Sequence, residues 1–254
     1  MLKMPQNEHT IEYVSGDAKI NKIKFYDLLE EGHNMDKFIR NNNLFSRPDH
    51  NFKPLLSLLK KDSIVYDVGA YIGTFAIPLA IEGMRVYSFE GFPENYRRCT
   101  KNTKPYNITN YLCAVSDREY TTTSKFNNCT DNELFVEEIK YYRLDDFVKK
   151  NNIPNPDLVK VDIEGMETLA FHGMSNLLEN VRPIWSMGYH YKFYSDIEGY
   201  PGWVDVKDGG FDFKKIHELG YAIFDELGRR QPPEILDTRG GEFMFIPREK
   251  YKVK

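Results

Sequence analysis

The chain has 254 residues, 41% of them hydrophobic and 14% aromatic, enough to bury one large core without disulfide or metal staples. Its formal net charge of −4, with acidic and basic residues interleaved, argues against a protein whose main task is to grip a nucleic-acid backbone. Cys99, Cys113 and Cys129 form no CxxC pair, no run of 18 apolar residues can span a membrane, and the N-terminus lacks the apolar core of a secretory signal, so a cytoplasmic protein is expected.

In chain order, "INKIKFYDLLEEG" and "HNFKPLLSLLKK" within residues 20–60 carry apolar residues at helical spacing. They predict a helical extension over 1–60, packed on a domain over 61–254. Apolar runs at 63–69, 85–91, 109–117, 157–165 and 182–190 predict buried strands. Helices are expected between them at 74–82, 93–103 and 166–179, the last with Met166, Leu169, Ala170, Met174, Leu177 and Leu178 on one face. Strand and helix in alternation imply an α/β fold, a mostly parallel, Rossmann-like sheet with helices on both faces. Pro78 should kink the first of these helices unless it sits in the first turn. Residues 118–143 read as a hairpin, and "GYAIFDELGRR…GGEFMFIP" as an antiparallel pair at the sheet edge.

Ligands of such a sheet sit above the carboxyl ends of its strands. The first run, in "VYDVGAYIGTFAIPLA", delivers Asp67 and the turn Gly69-Ala70-Tyr71-Ile72-Gly73. The second delivers Glu90, Gly91 and Phe92; the third Ser116 and Asp117; the fourth Asp162 and Glu164; the fifth Tyr189 and His190. An acid roughly 20 residues past a glycine turn suits acceptance from two ribose hydroxyls. A pyrophosphate would want GxGxxG and no acid aimed at it, whereas DxGxxxG suits a cationic amino-acid and sulfonium group. The pair therefore favours S-adenosylmethionine over a nicotinamide cofactor. Without Glu90, the glycines would equally well read as close helix packing.

"VYDVGAYIGTFAIPLA", "VYSFEGFPENYRRCTKN", "YYRLDDFV" and "DLVKVDIEGMETLAFHGM", in this order and at these spacings, resemble the FkbM-type S-adenosylmethionine-dependent methyltransferases over roughly residues 60–190. The resemblance implies a class I methyltransferase fold and O-methylation of hydroxyls on sugars or sugar-bearing compounds. It places Asp67, Gly69, Ala70, Tyr71 and Gly73 beside the methionine part of the cofactor. Glu90, followed by Gly91 and Phe92, matches the ribose-binding acid, and Ser116 and Asp117 lie where the adenine edge is read. Two departures stand out: Tyr71 occupies a position usually held by Asn, and Gly188 one that often carries Glu, two residues before His190.

Methyl transfer to a hydroxyl needs a base or a metal, because a sugar hydroxyl is hardly ionised near neutral pH. His190 is the candidate base; a hydrogen-bonded core histidine is the alternative. Asp162 and Glu164 share a face at i and i+2. With His190 they could bind one divalent metal, hold the base, or grip substrate hydroxyls; Glu164 could also simply complement a helix dipole. Asp145 and Asp146 are expected to cap the helix at 146–151. Lys160, inside a buried run, needs a partner, with Asp67 and Asp145 as the options. Aromatic residues crowd 185–213, and residues 191–213 read as a lid over the acceptor. The expected partner is a small-molecule or glycan acceptor with a free hydroxyl, in a nucleotide-linked sugar or a surface or capsular glycan. A non-sugar metabolite or lipid acceptor, or a degenerate cofactor-binding scaffold, are the rivals.

Overall fold

The computed structural model describes residues 8–28, 34–42, 44–46, 53–127, 134–190 and 213–250. Strict alternation governs its first segment: Ile11 and Tyr13, then Ile23 and Phe25, point inward while Lys22 and Lys24 point out. Period-two burial makes strands, and β1 (Glu8–Val14) pairs antiparallel with β2 (Ile20–Tyr26). The predicted helical extension is thus corrected to a hairpin followed by two short helices, α1 (Asn34–Arg40) and α2 (Lys53–Leu56). The hairpin is tied to the rest of the chain. Tyr13 Oη donates to Glu82 at 2.7 Å, the Tyr26 N–H donates to Asn102 at 2.8 Å, and Ile23 and Phe25 share a core with Val65, Leu79 and Val86.

The alternation then follows as predicted: β3 (Ile64–Val68), α3 (Ala76–Ile81), β4 (Arg85–Glu90), α4 (Pro93–Thr103) and β5 (Ile108–Leu112). Pro78 lies in the first turn of α3, where its missing N–H has no intrahelical partner to lose. The third predicted strand is broken in two. Cys113 N–H donates to the Glu90 carbonyl at 2.8 Å, and the chain then leaves the sheet as β6 (Ala114–Val115). β6 joins β7 (Tyr120–Asn127) and β8 (Leu134–Tyr142), the predicted hairpin, in a separate three-stranded sheet.

Next come α5 (Leu144–Lys150), β9 (Leu158–Val161), α6 (Glu167–Gly173), a π-helical turn at Leu177–Val181, and β10 (Ile184–Tyr189). After α7 (Phe213–Glu218) the tail forms β11 (Tyr221–Asp225), β12 (Arg230–Gln231) and β13 (Gly241–Pro247). The main sheet runs β12-β11-β13-β10-β9-β3-β4-β5. Strands β10, β9, β3, β4 and β5 are parallel, and β13 is antiparallel to β10 and β11. The antiparallel tail pair stands as predicted, with β13 inserted between β10 and β11.

Strand order reverses at β3, with β4 and β5 on one side and β9 and β10 on the other. Such a switch point opens a crevice at the strand ends. The central strands are buried on both faces, through Val65, Tyr66, Val68, Phe89, Val159, Val161, Trp185 and Met187. That is why they read as continuous apolar runs.

Candidate active site

The turn after β3 packs against β9. Gly69 has φ +83°, and a Cβ there would overlap the carbonyl oxygen of Asp162, so only glycine fits. Gly69 and Ala70 donate their N–H groups to the Phe89 carbonyl, fastening the turn to β4. Tyr71 stands at φ +52°, and its N–H donates to Glu90 Oε2 at 2.7 Å. The other carboxylate oxygen accepts from Phe92 N–H at 2.9 Å. Two backbone donors thus fix the plane of the Glu90 carboxyl at the mouth of the turn. Burial pushes its pKa up to about 7, against the opposing pull of those two amides. Gly91 lies against Ala114, where a Cβ would come within 2.6 Å of the alanine's own, and Phe92 is buried at the start of α4.

Asp67 lies near the end of β3, beneath the turn. It is fully buried, with Lys160 Nζ 3.4 Å from its Oδ1, and the same ammonium donates to the Gly69 carbonyl at 2.8 Å. The acid therefore braces the turn from beneath through Lys160, which answers the question of the lysine's partner. Burial opposes the lysine's charge, but Asp67, Asp162 and Glu242 outweigh it and hold the ammonium above the usual lysine range.

On the other side of the switch point, strand register lines up a second group. Val68 and Met187 both lie beside Val161, which brings Gly69 and Gly188 alongside Asp162, while Gly188 pairs with Glu242 on β13. A Cβ on Gly188 would lie 3.0 Å from Asp162 Cγ and 3.2 Å from Glu242 Oε1. The missing side chain leaves room for two carboxylates supplied by neighbouring strands.

His190 follows β10. Its Nδ1 lies 2.9 Å from Glu167 Oε1, and its Nε2 lies 3.4 Å from Glu164 Oε2 and 3.8 Å from Asp162 Oδ1. Burial opposes protonation, but Glu167, Asp162 and Glu164 outweigh it and push the imidazole pKa up to about 10. These acids favour the protonated ring, so a cation bound among them would compete with the His190 proton. Asp162, Glu164 and His190 offer ligand atoms within 4.8 Å of one another. Two carboxylates and an imidazole around a site of excess negative charge are a fitting donor set for a divalent cation.

Glu164 faces His190 from the turn before α6, at φ +55°, and does not cap that helix. Glu167 binds the turn instead, accepting from the N–H groups of Ile163 and Gly165 at 3.2 and 3.1 Å. Sequence reasoning missed Glu167 and Glu242. The first carried a faint signal, an acid one turn into a helix after "DIEG"; the second becomes visible only once β13 is registered against β10.

Three further groups singled out in the sequence have the following places. Ser116 and Asp117 directly follow β6 of the second sheet: Ser116 is fully buried beside Gly173 and donates to Asp117 at 3.2 Å. Asp145 does not cap its own helix; it accepts from Asn176 and Leu177 N–H at 2.7 and 3.2 Å and caps the π-helical turn. Trp185 is core, packed 4.8 Å from the Phe171 ring centre. Residues 191–212 of the expected lid lie outside the described residues.

A mostly parallel α/β sheet, with a glycine turn after its switch-point strand and an oriented acid ending the next, defines a cofactor-binding α/β protein. The chain matches the FkbM methyltransferase domain over residues 67–222 and belongs to that family of S-adenosylmethionine-dependent methyltransferases. It is similar to the hexuronic acid methyltransferase AglP of Haloferax volcanii, 28% identical over 136 residues. That alignment takes in 50% of this chain and 56% of AglP, so the shared part is about half of each. Among solved structures, methyltransferase FkbM from Methylobacillus flagellatus KT superposes with a TM-score of 0.50 at 18% identity, covering 83% of this chain and 53% of that one. Fibrillarin of Aeropyrum pernix, solved with natively bound S-adenosyl-L-methionine, gives 0.45 at 14% identity, covering 92% of each chain. Among the described residues, no helix is long and apolar enough to cross a membrane.

Proposed function

We propose that the chain transfers the methyl group of S-adenosylmethionine to a hydroxyl of a sugar. The observation that carries this reading is the grouping of Asp162, Glu164 and His190, with Glu242 one strand further out, across the switch point from the glycine turn and Glu90. Such a cluster offers hydrogen-bond acceptors for vicinal hydroxyls beside a group that can manage a proton. The likeness to a hexuronic acid methyltransferase points the same way.

In this reading Glu90 accepts from the ribose hydroxyls with the lone pairs that Tyr71 and Phe92 leave over. Asp162 and Glu164 orient the acceptor, whose oxygen attacks the methyl carbon in line with the departing sulfur. Glu167 fixes His190 by holding its Nδ1, so that Nε2 is the atom that faces the acceptor. Asp162, Glu164 and His190 would hold a divalent cation, which when bound lowers the pKa of an attached hydroxyl. The acceptor proton goes to a carboxylate of this cluster, or to Nε2 once its own proton has been displaced.

The test is calorimetric titration with S-adenosylhomocysteine, paired with transfer of a labelled methyl group to neutral sugars, amino sugars and hexuronates, before and after EDTA. His190→Ala should bind S-adenosylhomocysteine within about twofold of wild type and lose roughly 10²–10⁴-fold in kcat. Label appearing only in non-sugar acceptors would sink the sugar reading, and absence of S-adenosylhomocysteine binding would sink the transferase reading altogether.

A further inference from the structure

Tyr71 is a bulky residue held at φ +52° inside the turn after β3, a left-handed conformation that side chains with a Cβ avoid. Its side chain shows what holds it there. Tyr71 Oη donates to Asp36 Oδ1 at 2.6 Å, and Arg98 Nη2 donates to the other oxygen of Asp36 at 2.7 Å. Arg98 Nη1 reaches Tyr71 Oη at 3.5 Å, and its guanidinium lies 5.4 Å from the centre of the tyrosine ring. Asp36 is 0% and Arg98 1% exposed, so this is a desolvated latch in which every charge has a partner. Burial raises the Tyr71 phenol well above its ordinary pKa, so it stays protonated and donates.

The backbone N–H of the same tyrosine is one of the two donors that orient Glu90. The other end of the latch lies outside the region that matches the family: Asp36 is on α1, ahead of residue 67. We infer that Asp36 and Arg98 are positioning residues for the cofactor site, acting through Tyr71 on the carboxylate of Glu90. The N-terminal segment thereby completes the cofactor pocket. This inference rests on the reading of Glu90 and the turn as the S-adenosylmethionine site, and it accounts for a tyrosine in a turn that would ordinarily carry a small polar residue: the ring turns away from the ligand and reaches the support.

The test is a double-mutant cycle read as affinity for S-adenosylhomocysteine by calorimetry, on proteins shown to be folded by circular dichroism. Tyr71→Phe removes only the hydroxyl and should weaken binding about tenfold; Asp36→Asn should do the same. In a Glu90→Gln background, Tyr71→Phe should cost less than about twofold, because the residue it acts through is already altered. A purely structural role would shift thermal stability and leave the two affinity effects additive. Equal losses in both backgrounds, or unchanged affinity of Tyr71→Phe in the wild-type background, overturn the inference while the transferase reading stands. A wild-type chain that binds no S-adenosylhomocysteine overturns both.

Discussion

Replacing Glu90 by glutamine should flatten the pH dependence of both stability and cofactor affinity near neutrality. Glu90 is 8% exposed, and burial lifts its pKa from an ordinary 4.5 to about 7. Between those values the folded protein keeps a proton that the unfolded chain has released. Glu90 therefore favours the folded state at acid pH, and that contribution is lost as pH rises through 4.5 to 7. At about 1.4 kcal/mol per pH unit, the window is worth about 3 kcal/mol. Cofactor binding runs the other way. The ionised carboxylate is the better acceptor for ribose hydroxyls, so affinity for S-adenosylhomocysteine should fall up to about tenfold per unit below pH 7. Urea unfolding and calorimetry at pH 5, 6, 7 and 8, on wild type and Glu90→Gln, measure both slopes. Other titrating groups are common to the two proteins, so the difference between the curves isolates Glu90. Parallel curves in both experiments would refute the assignment of a buried, titrating acid to the cofactor pocket.

Gly188→Ala should leave the fold intact but push against Asp162 and Glu242, whose carboxyl ends lie 3.0 and 3.2 Å from the new methyl group. We expect a kcat roughly tenfold lower, with S-adenosylhomocysteine affinity within about twofold; an unchanged kcat would show that Asp162 has room to move without consequence. Lys160→Met should strand the Asp67 carboxylate, which is fully buried 3.4 Å from the ammonium. A loss of about 3–5 kcal/mol by urea unfolding at pH 7.5 is expected, and a loss under about 1 kcal/mol would mean that Asp67 is held by other partners.

The central strands were legible because they are buried on both faces, which leaves a continuous apolar run that few other structures produce. The N-terminal hairpin was not. In "INKIKFYDLL" the apolar residues satisfy a helical spacing as well as an alternating one, and only the packing of Ile23 and Phe25 beside Val65 decides between them. Pairing at the carboxyl ends was legible for Glu90, His190, Asp162 and Glu164, since a parallel sheet delivers such residues to one edge. The pairing of Asp67 with Lys160 was legible only as one of two options, because sequence does not say which acid a lysine from the neighbouring strand will meet. Glu167 and Glu242 escaped for a related reason: one enters through a helix turn and the other through antiparallel register, and neither relation leaves a periodic trace.

Register also explains how a family position that often holds glutamate can carry glycine here. Gly188 sits between Asp162 and Glu242 in one row across the sheet, where even a Cβ would press on both carboxyl ends. A glutamate at 188 would have to displace one of these neighbours, and with Glu242 present it would add a further negative charge near acids that already raise the His190 pKa. A carboxylate from β13, a strand of the tail, thus lies beside Gly188. Glu242 and Asp162 flank Gly188, and both contribute to the field at Lys160, so the tail strand reaches the carboxylate group of the proposed site. The same reasoning holds at the opposite end of the chain, where Asp36 reaches Tyr71. In both places a segment outside residues 67–222 brings a carboxylate to a residue inside that range, Asp36 to Tyr71 and Glu242 to Gly188. Under the proposed function, the site is therefore to be tested in these flanking segments as well as within residues 67–222.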